Sequence, residues 1–291
     1  MTTVGIVHSG NSGHHDAHIA ALENNITTGG VAFSVLYGQF NSTTMKTHFR
    51  NLIRGMKAGD VLVAAGGTVC AEAAWRACAQ EGSSLPVVFT SASHSFTLPD
   101  NITGVYPQTV ELDATRLSIL YEFLPDETTF GELVAYRPNP SNLGSAAAGL
   151  GLTLDPPKDV TGGGANEFDN AFKDWHRRQI KGVVVAANPF LYEQRGLVAQ
   201  HANQHGILAI YQWSDFLVPG GGGAVSYGTS LTDAYAMAGT LVDQILKDPK
   251  HKLPPPVEMT DPQLSINPSI LKKLNIPIPR TIQSRINREI K

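Results

Sequence analysis

The sequence predicts an α/β protein built from two Rossmann-like lobes, each with a parallel sheet. Three observations support this prediction. Short runs of apolar, β-branched residues alternate with helical stretches, which is the pattern of βαβ units. The alternation breaks off near residue 107 and then restarts at a similar scale. The length of 291 residues also exceeds that of a usual single domain.

The composition limits the classes of partner. A content of 42% apolar and 16% charged residues is typical of an ordinary globular protein. The net charge of −3 provides no basic surface, so we expect no nucleic-acid partner. No run approaches the roughly 20 apolar residues of a membrane span. The chain opens MTTVGIV without the charged and apolar segments of a secretory leader, so we expect a cytoplasmic protein or one whose leader has been removed.

The first half of the chain carries four predicted strands separated by helices. The strands are TVGIVHSG, VAFSVLYG, VLVAAGG and LPVVFTSAS, and the helices are HDAHIAALENNI, MKTHFRNLIRGM and TVCAEAAWRACAQEG. Cys70 and Cys78 lie eight residues apart on the third helix. That spacing is about 12 Å along a helix axis. It exceeds the roughly 7 Å that a disulfide spans, so we expect two free thiols.

The second half restarts the alternation after a helix over residues 110–123. The further strands are GELVAYRP, LTLDPP, KGVVVAANP, ILAIYQW and AVSYG, and the further helices are NLGSAAAGLGL, ANEFDNAFKDWHRR, EQRGLVAQHANQHG and LTDAYAMAGTLVDQILK. Residues 254–256 are three consecutive prolines, which lack the amides that a strand must donate. They indicate a linker that crosses between the lobes.

The loops that follow the strands are the predicted binding surface, because loops at the carboxyl ends of parallel strands bind ligands. They are rich in Ser, Asn, Gly and Thr, which offer hydroxyls, amides and backbone N–H groups at helix N-termini. They contain few acid–base groups, so they favour binding over catalysis, and we expect no catalytic residue and no cofactor. In the first lobe the candidates are Ser9, Gly10, Asn11, Tyr37, Gly67, Thr68, Ser91, Ala92 and Ser93. The alternative for 66–68 and 90–93 is a purely structural turn.

Aromatic residues at strand ends mark the candidate surface of the second lobe. They suggest stacking against a planar or apolar ligand, although such residues are often part of the core. Polar neighbours could meet an amine or a similar substituent, and Asp215 could instead cap a helix or form part of the hinge. The candidates are Tyr136, Asn139, Asn188, Phe190, Trp213 and Asp215, with Tyr227 at a later strand end. Tyr192 is a further aromatic residue of this region, whereas Trp75 and Trp175 lie on helices and are expected to pack.

The loop HSGNSGHHDAH raises the question of a metal site. His14 and His18 are four residues apart, which places both on one helical face, as metal sites often require. A closed site needs three or four ligands with supporting contacts, and the sequence shows no partner motif, so we expect no metal. The alternatives are a glycine-rich turn capped by Ser12, Asp16 or an upstream residue and a binding floor with the histidines at its rim. We favour the binding floor.

Several segments resemble a known family over nearly the whole chain. They are SLPVVFTSASHSFTLPDNITGV, PDETTFGELVAYRPNPSN, FDNAFKDWHRRQIKGVVVAANPFLYEQR, GAVSYGTSLTDAYAMAGTLVDQILK and QLSINPSILKKLNIPIPRTI. They are similar to ABC-transporter substrate-binding proteins of the type I periplasmic binding fold, in the branch that includes aromatic amino acid binders. The resemblance implies two lobes joined by a hinge of three crossings, with a ligand in the cleft and no chemistry. It assigns residues 1–107 and 221–250 to lobe 1, and residues 108–220 and 251–291 to lobe 2.

The expected function is therefore the solute-binding component of an ABC importer that closes about its hinge on the ligand. The donors of the first lobe favour a small carboxylate-bearing molecule, such as an aromatic or branched amino acid, and a sugar is the competing ligand. The expected partners are this small molecule and a membrane permease, and we expect a monomer in the periplasm or at the cell surface. The alternative is a cytoplasmic sensor or a racemase- or isomerase-like enzyme on the same fold. Cys70 and Cys78 argue against a two-cysteine racemase, since both fall on one helix of one lobe.

Overall fold

The chain folds into two units and passes between them at three places. A computed structural model describes residues 1–93, 99–136, 142–161, 164–218, 222–248 and 252–290. Unit 1 comprises Met1–Pro107 and Leu231–Thr260, and unit 2 comprises Gln108–Ser230 and Asp261–Lys291. The predicted binding residue Asn139 lies outside the described residues. Among the described helices, none has the length and apolar character that crossing a membrane requires.

Strands and helices alternate through most of both units. The strands are β1 (Thr2–His8), β2 (Val31–Tyr37), β3 (Val61–Ala65), β4 (Val87–Phe89), β5 (Ile102–Tyr106), β6 (Thr129–Val134), β7 (Thr153–Leu154), β8 (Lys158–Asp159), β9 (Gly182–Val185), β10 (Leu208–Tyr211), β11 (Val225–Gly228), β12 (Val257–Glu258), β13 (Gln263–Ile266) and β14 (Arg288–Glu289). The α-helices are α1 (Asp16–Asn24), α2 (Ser42–Gly55), α3 (Thr68–Glu81), α4 (Asp113–Phe123), α5 (Leu143–Gly149), α6 (Ala165–Arg177), α7 (Pro189–Glu193), α8 (Arg195–Gln204), α9 (Leu231–Lys247), α10 (Pro268–Lys273) and α11 (Arg280–Gln283). Short 3-10 helices cover Val110–Leu112 and Ser214–Phe216.

Unit 1 is built on a parallel sheet with the strand order β12-β5-β4-β3-β1-β2. Helix α2 packs against α3, while α9 packs against α1 and also contacts β3, β4 and β5. Leu62 and Ala64 of β3 join the apolar core that α2 and α3 share. Their neighbours Val61 and Val63 point to the opposite face and are equally buried. The sheet is therefore covered on both faces, which explains its nearly continuous apolar strands.

Unit 2 repeats this arrangement with an extension at one edge. Its strand order is β14-β13-β11-β10-β9-β6-β7, with β8 also paired to β6. Every described pairing in it is parallel except that of β11 with β13. Helix α4 packs against α5, and α6 packs against α8. In both units the strand order reverses beside the first strand, between β1 and β3 and between β6 and β9. Such reversal points are where open α/β sheets bind ligands.

The structure places two segments differently from the division made on the sequence, which gave 221–250 to the first lobe and 251–291 to the second. Strand β11 belongs to unit 2, because it pairs with β10 and β13. Strand β12 belongs to unit 1, because it pairs with β5. The Thr103 hydroxyl donates a hydrogen bond of 2.8 Å to the carbonyl of Pro254 and thereby fixes the proline segment to unit 1.

Two short helices begin at an Asn-Pro pair that the sequence analysis assigned to a loop and to the tail. Asn188 and Asn267 occupy the N-cap positions of α7 and α10, and each side-chain oxygen accepts hydrogen bonds from two backbone amides. Proline follows at the first helical position, where its missing N–H costs nothing. The Asn-Pro pair is therefore a local sequence signal for the start of each of these two helices.

Candidate functional site

The reversal point of unit 1 brings the loops after β1 and β3 into contact. The amide of Ser9, directly after β1, donates a hydrogen bond of 2.8 Å to the carbonyl of Ala65 at the end of β3. Gly66 follows with a φ of +103°, and a Cβ atom at Gly66 would lie 2.1 Å from the Ser9 Oγ. Only glycine satisfies both the backbone conformation and this close approach.

The loop after β4 adds hydroxyl groups to the same edge. The amide of Gly67 donates a hydrogen bond of 3.1 Å to the Ser91 Oγ. The amide of Ser93 donates one of 3.0 Å to the Thr68 Oγ1, and the Ser93 and Thr68 hydroxyl oxygens lie 3.2 Å apart. The structure thus brings together Ser9, Gly67, Thr68, Ser91 and Ser93, as the sequence analysis expected from their positions at strand ends.

This edge is suited to an anionic or strongly polar group. The Ser9 Oγ is buried and has no hydrogen-bond partner among the described residues. Helix α3 begins after Gly67, and no side chain of the described residues caps its first amides. The N-terminus of a helix carries a partial positive charge that favours anions. The Ser91 hydroxyl accepts from Gly67 and so keeps its own proton to donate.

The remaining candidates of unit 1 have more varied positions. The carbonyl of Gly10 accepts a hydrogen bond from the amide of Gln39, which joins the loop after β1 to the loop after β2. Asn11 is half-buried, and the Tyr37 hydroxyl lies 3.5 Å from the Asp16 carboxylate. Ala92 differs from its neighbours, because it belongs to the apolar core of unit 1.

The histidines after the first strand lie partly in the interior. His14 is exposed, whereas His15 and His18 are almost fully buried. The ring of His15 lies 3.9 Å from that of His8, and the ring of His18 lies 5.2 Å from that of Tyr235, measured between centroids. His15 is the N-cap residue of α1, and no capping side chain is found there among the described residues. The alternative of a turn capped by Ser12 or Asp16, which the sequence analysis did not favour, is therefore wrong.

His8, which the sequence analysis did not single out, holds this loop in place. It ends β1, is fully buried, and its Nδ1 accepts a hydrogen bond of 2.9 Å from the amide of Gly10. The proton therefore sits on Nε2, which lies 3.0 Å from the Tyr235 hydroxyl. Burial, followed by the nearby His15 and His18, lowers the pKa of His8 well below its usual value. In the sequence, the only indication of this role of His8 was that a polar residue ends an otherwise apolar strand.

We expect the stability of the protein to fall as the pH drops below about 6.5, the pKa of an unperturbed histidine. Unfolding then exposes His8, which binds a proton that the folded chain rejects, so stability decreases by up to about 1.4 kcal/mol per pH unit from this residue. Urea denaturation between pH 7.5 and 5.5 measures the slope. The variant His8→Asn, whose side-chain oxygen can still accept from Gly10, should show a shallower slope. Equal slopes would contradict the assignment.

The reversal point of unit 2 is organised by Asn188. Its Nδ2 donates a hydrogen bond of 3.0 Å to the carbonyl of Ala135, which follows β6. Its Oδ1 accepts from the amides of Phe190 and Leu191 at 2.8 and 3.3 Å. The Asn188 side chain therefore serves to cap α7 and to join two strand ends, and its oxygen is already engaged.

The aromatic candidates form two packed groups. Tyr136 meets Phe190 edge to face with 5.4 Å between the ring centroids, and Tyr192 meets Trp213 in the same way at 5.6 Å. Tyr136 is 41% exposed, whereas Phe190 and Trp213 are each 6% exposed. The Tyr192 hydroxyl donates a hydrogen bond of 3.2 Å to the Asp215 carboxylate. Of these rings, Tyr136 presents the largest accessible surface.

Tyr227 has a structural role that involves Arg116, a residue that the sequence analysis missed. Arg116 is 1% exposed and donates hydrogen bonds of 2.7 Å to the carbonyls of Tyr227 and Thr109. It also pairs with the buried Asp113 at 2.5 Å. The ring of Tyr227 packs against the apolar core of unit 2. A single arginine on a predicted helix gives no sequence signal of burial.

Gln212 is a second polar group that sequence reasoning missed. It lies directly after β10, is 1% exposed, and donates from Nε2 to the carbonyl of Ala186 at 3.3 Å. Its Oε1 is buried and has no hydrogen-bond partner within the described residues. A buried carbonyl oxygen without a partner is costly, so a ligand donor at this strand end would be favourable.

The two cysteines do not have the character of nucleophiles. Cys70 and Cys78 are buried free thiols on α3, which confirms that no disulfide joins them. Burial raises the pKa of Cys78 to about 11, and it raises the pKa of Cys70 as well. Thiols need a lowered pKa to react at neutral pH.

The comparisons with known proteins concern the fold. No protein-family model matches the chain, and no curated protein matches it either. A conserved domain protein from Vibrio cholerae has a TM-score of 0.82 at 18% identity, with 99% of both chains covered. An ABC domain in complex with L-Trp from Streptococcus pneumoniae has a TM-score of 0.79 at 15% identity, covering 99% of this chain and 100% of that one. An ABC transporter solute-binding protein from Agrobacterium vitis, bound to α-D-tagatopyranose, has a TM-score of 0.69 at 14% identity, covering 98% and 99%.

These structures and the sheet topology agree on the architecture. Two α/β units with mostly parallel sheets confirm the fold class that the sequence predicts. The similarity extends over almost the full length of the chain and of each of the three structures. The chain therefore has the type I periplasmic binding fold, which it shares with these structures.

Proposed function

We propose that the protein is the solute-binding component of an ABC importer and that it binds a small carboxylate-bearing molecule. The observation that carries the proposal is the edge of unit 1 at β1 and β3. There the buried and unpartnered Ser9 hydroxyl lies beside the uncapped N-terminus of α3, within the described part of the chain. A carboxylate would accept from these donors and from the Ser91 hydroxyl without a buried arginine.

The composition of this edge favours a carboxylate over a sugar. The segments 9–11, 66–68 and 90–93 contain no Asp, Glu, Arg or Lys. Sugar hydroxyls both donate and accept hydrogen bonds, so they are well held by carboxylate acceptors together with Arg or Lys donors, and these segments have neither. Unit 2, taken by itself, has binding groups of its own: the exposed ring of Tyr136 can stack on an aromatic or apolar group, and the Gln212 oxygen, which has no partner among the described residues, can accept from an amine.

We propose further that the ligand is bound without chemical conversion. Neither cysteine has a lowered pKa, and the loops 9–11, 66–68 and 90–93 carry no His, Asp or Glu to serve as a base. A binding protein of this kind would work with a membrane permease, as a monomer in the periplasm or at the cell surface. The similar structures that bind L-Trp and tagatopyranose support the role and leave both ligand classes to be tested.

We expect aromatic or branched-chain amino acids and carboxylates to bind with micromolar affinity, and pentoses and hexoses to bind far more weakly. Calorimetry and tryptophan fluorescence measure both sets on the same preparation. Ser91→Ala should weaken binding of the carboxylate about tenfold, or ~1.4 kcal/mol, because it removes one hydrogen bond to a charged group. Ser84→Ala, an exposed serine before β4, is the matched control and should leave the affinity unchanged. Micromolar binding of sugars with no binding of any carboxylate would reject the ligand class.

A further inference from the structure

Three potential metal ligands come together on helices α6 and α8 of unit 2. His205 follows the last residue of α8, and its Nε2 lies 2.8 Å from the Asp169 Oδ1 of α6. The Nδ1 of His201, on α8, lies 3.5 Å from the same oxygen. One ligand atom from each of the three residues lies within 4.8 Å of the others. Donors that share one ion at about 2.0–2.2 Å in tetrahedral geometry lie roughly 3.3–3.6 Å apart, so small side-chain adjustments would let these three bind one ion.

The state of His201 indicates that the cluster does more than hold a surface ion pair. His201 is only 9% exposed, and its Nδ1 has no hydrogen-bond partner within the described residues. A buried ring nitrogen without a partner is unfavourable. The Nδ1 faces the Asp169 carboxylate, so an ion placed there would use both groups at once. The ion would satisfy the nitrogen and bridge α6 and α8.

We propose that Asp169, His201 and His205 bind a divalent transition-metal ion of the Zn²⁺ type. Two imidazoles and one carboxylate are ligands that Zn²⁺ accepts, and three protein ligands leave the fourth tetrahedral position for water. Histidines four residues apart lie on one face of a helix, which suits joint coordination. The charge of Lys173 acts on Asp169 and opposes the ion, so the affinity should be moderate.

The site is separate from the binding loops and does not depend on the proposed function. The sequence analysis expected no metal and considered only His14 and His18, which share the His-x3-His spacing with His201 and His205. The two histidine pairs differ in whether a carboxylate lies beside them. Asp169 lies on another helix, α6, and comes close to α8 only in the folded protein. Sequence spacing alone ranks the two histidine pairs equally.

The test is a calorimetric titration of the chelator-treated full chain with Zn²⁺, repeated with Co²⁺ to record its visible absorption. We expect one equivalent of Zn²⁺ to bind to the wild-type protein and to raise its Tm. Asp169→Asn and His205→Gln should each weaken binding by more than about 100-fold, because loss of a mere supporting contact already costs 10- to 100-fold. The control His14→Gln alters an exposed histidine and should keep the wild-type affinity.

The outcomes separate the proposal from its alternatives. Asp169 is a half-buried residue whose side chain is 41% exposed, so Asp169→Asn should fold normally, which its Tm in the absence of metal will show. Loss of binding in Asp169→Asn and His205→Gln together with retention in His14→Gln supports the site. Absence of Zn²⁺ binding by the wild-type chain would overturn it. Unchanged binding in both ligand variants would place the metal elsewhere, loss in His14→Gln alone would assign it to the N-terminal histidines, and either result would overturn the proposal.

Discussion

Replacing Arg116 with Met is expected to lower the free energy of unfolding by about 3–5 kcal/mol, the usual cost of breaking a buried ion pair. Arg116 is fully buried and donates to the carbonyls of Thr109 and Tyr227 as well as to Asp113. Methionine has a similar length and fills the space, so the loss reports on charge and hydrogen bonding. Burial raises the pKa of Asp113, and the Arg116 charge only partly offsets that effect. Without Arg116, the Asp113 carboxylate would be buried and unpaired.

Urea denaturation followed by circular dichroism measures this change. The matched control is Arg76→Met, which removes an exposed arginine paired with Glu72 one turn away on α3. Exposed pairs of this type contribute about 0.3–0.5 kcal/mol, so the control should remain close to wild type. A loss of unfolding free energy below about 1 kcal/mol in Arg116→Met would contradict this account, because the buried pair would then stabilise the protein hardly more than a surface pair does.

Replacing Gly66 with Ala is expected to destabilise unit 1 by about 2–5 kcal/mol, combining backbone strain with overpacking. The φ of +103° disfavours any residue with a Cβ, and that atom would lie 2.1 Å from the Ser9 Oγ. The Ser9 hydroxyl would have to leave its position at the proposed carboxylate site. We therefore expect ligand affinity to fall by more than about 100-fold, or ~2.7 kcal/mol, even where the variant remains folded.

The control Gly59→Ala separates the cost of backbone strain from the cost of the close contact with Ser9. Gly59 has a φ of +95°, but a Cβ there would meet no described heavy atom within 4 Å. It should therefore show only the strain of a positive φ, about 1 kcal/mol, and should leave ligand affinity unchanged. Thermal denaturation and calorimetry of both variants provide the comparison. Equal effects of the two substitutions on stability and on binding would show that contact with Ser9 is unimportant.

The sequence was informative wherever the structure follows from local signals. Helix α9 spans Leu231–Lys247 as its apolar periodicity predicts, and α3 ends before Gly82, which adopts a φ of +61°. Long-range pairing was harder to predict. The pairing of β11 with β13, and of β12 with β5, joins segments far apart in sequence and decides which unit each belongs to. No local pattern encodes those pairings.

The candidate site was predictable in its position and less so in its details. Ser9, Thr68, Ser91 and Ser93 meet because parallel strands end at one edge of a sheet, a rule that needs only the strand assignment. The structure engages Asn188 in capping a helix, which depends on a two-residue signal that was overlooked. Burial of polar groups such as Gln212, Arg116 and His8 depends on packing, which a single sequence does not reveal.

The central claim is that the protein binds a small molecule and leaves it unchanged. The most direct measurement is to incubate the protein with the tightest ligand found by titration and to quantify that ligand and any product by mass spectrometry. We predict complete recovery of the unmodified ligand, with one equivalent retained by the protein and lost in Gly66→Ala. Steady conversion of the ligand to product by the wild-type protein, abolished in Gly66→Ala, would contradict the claim.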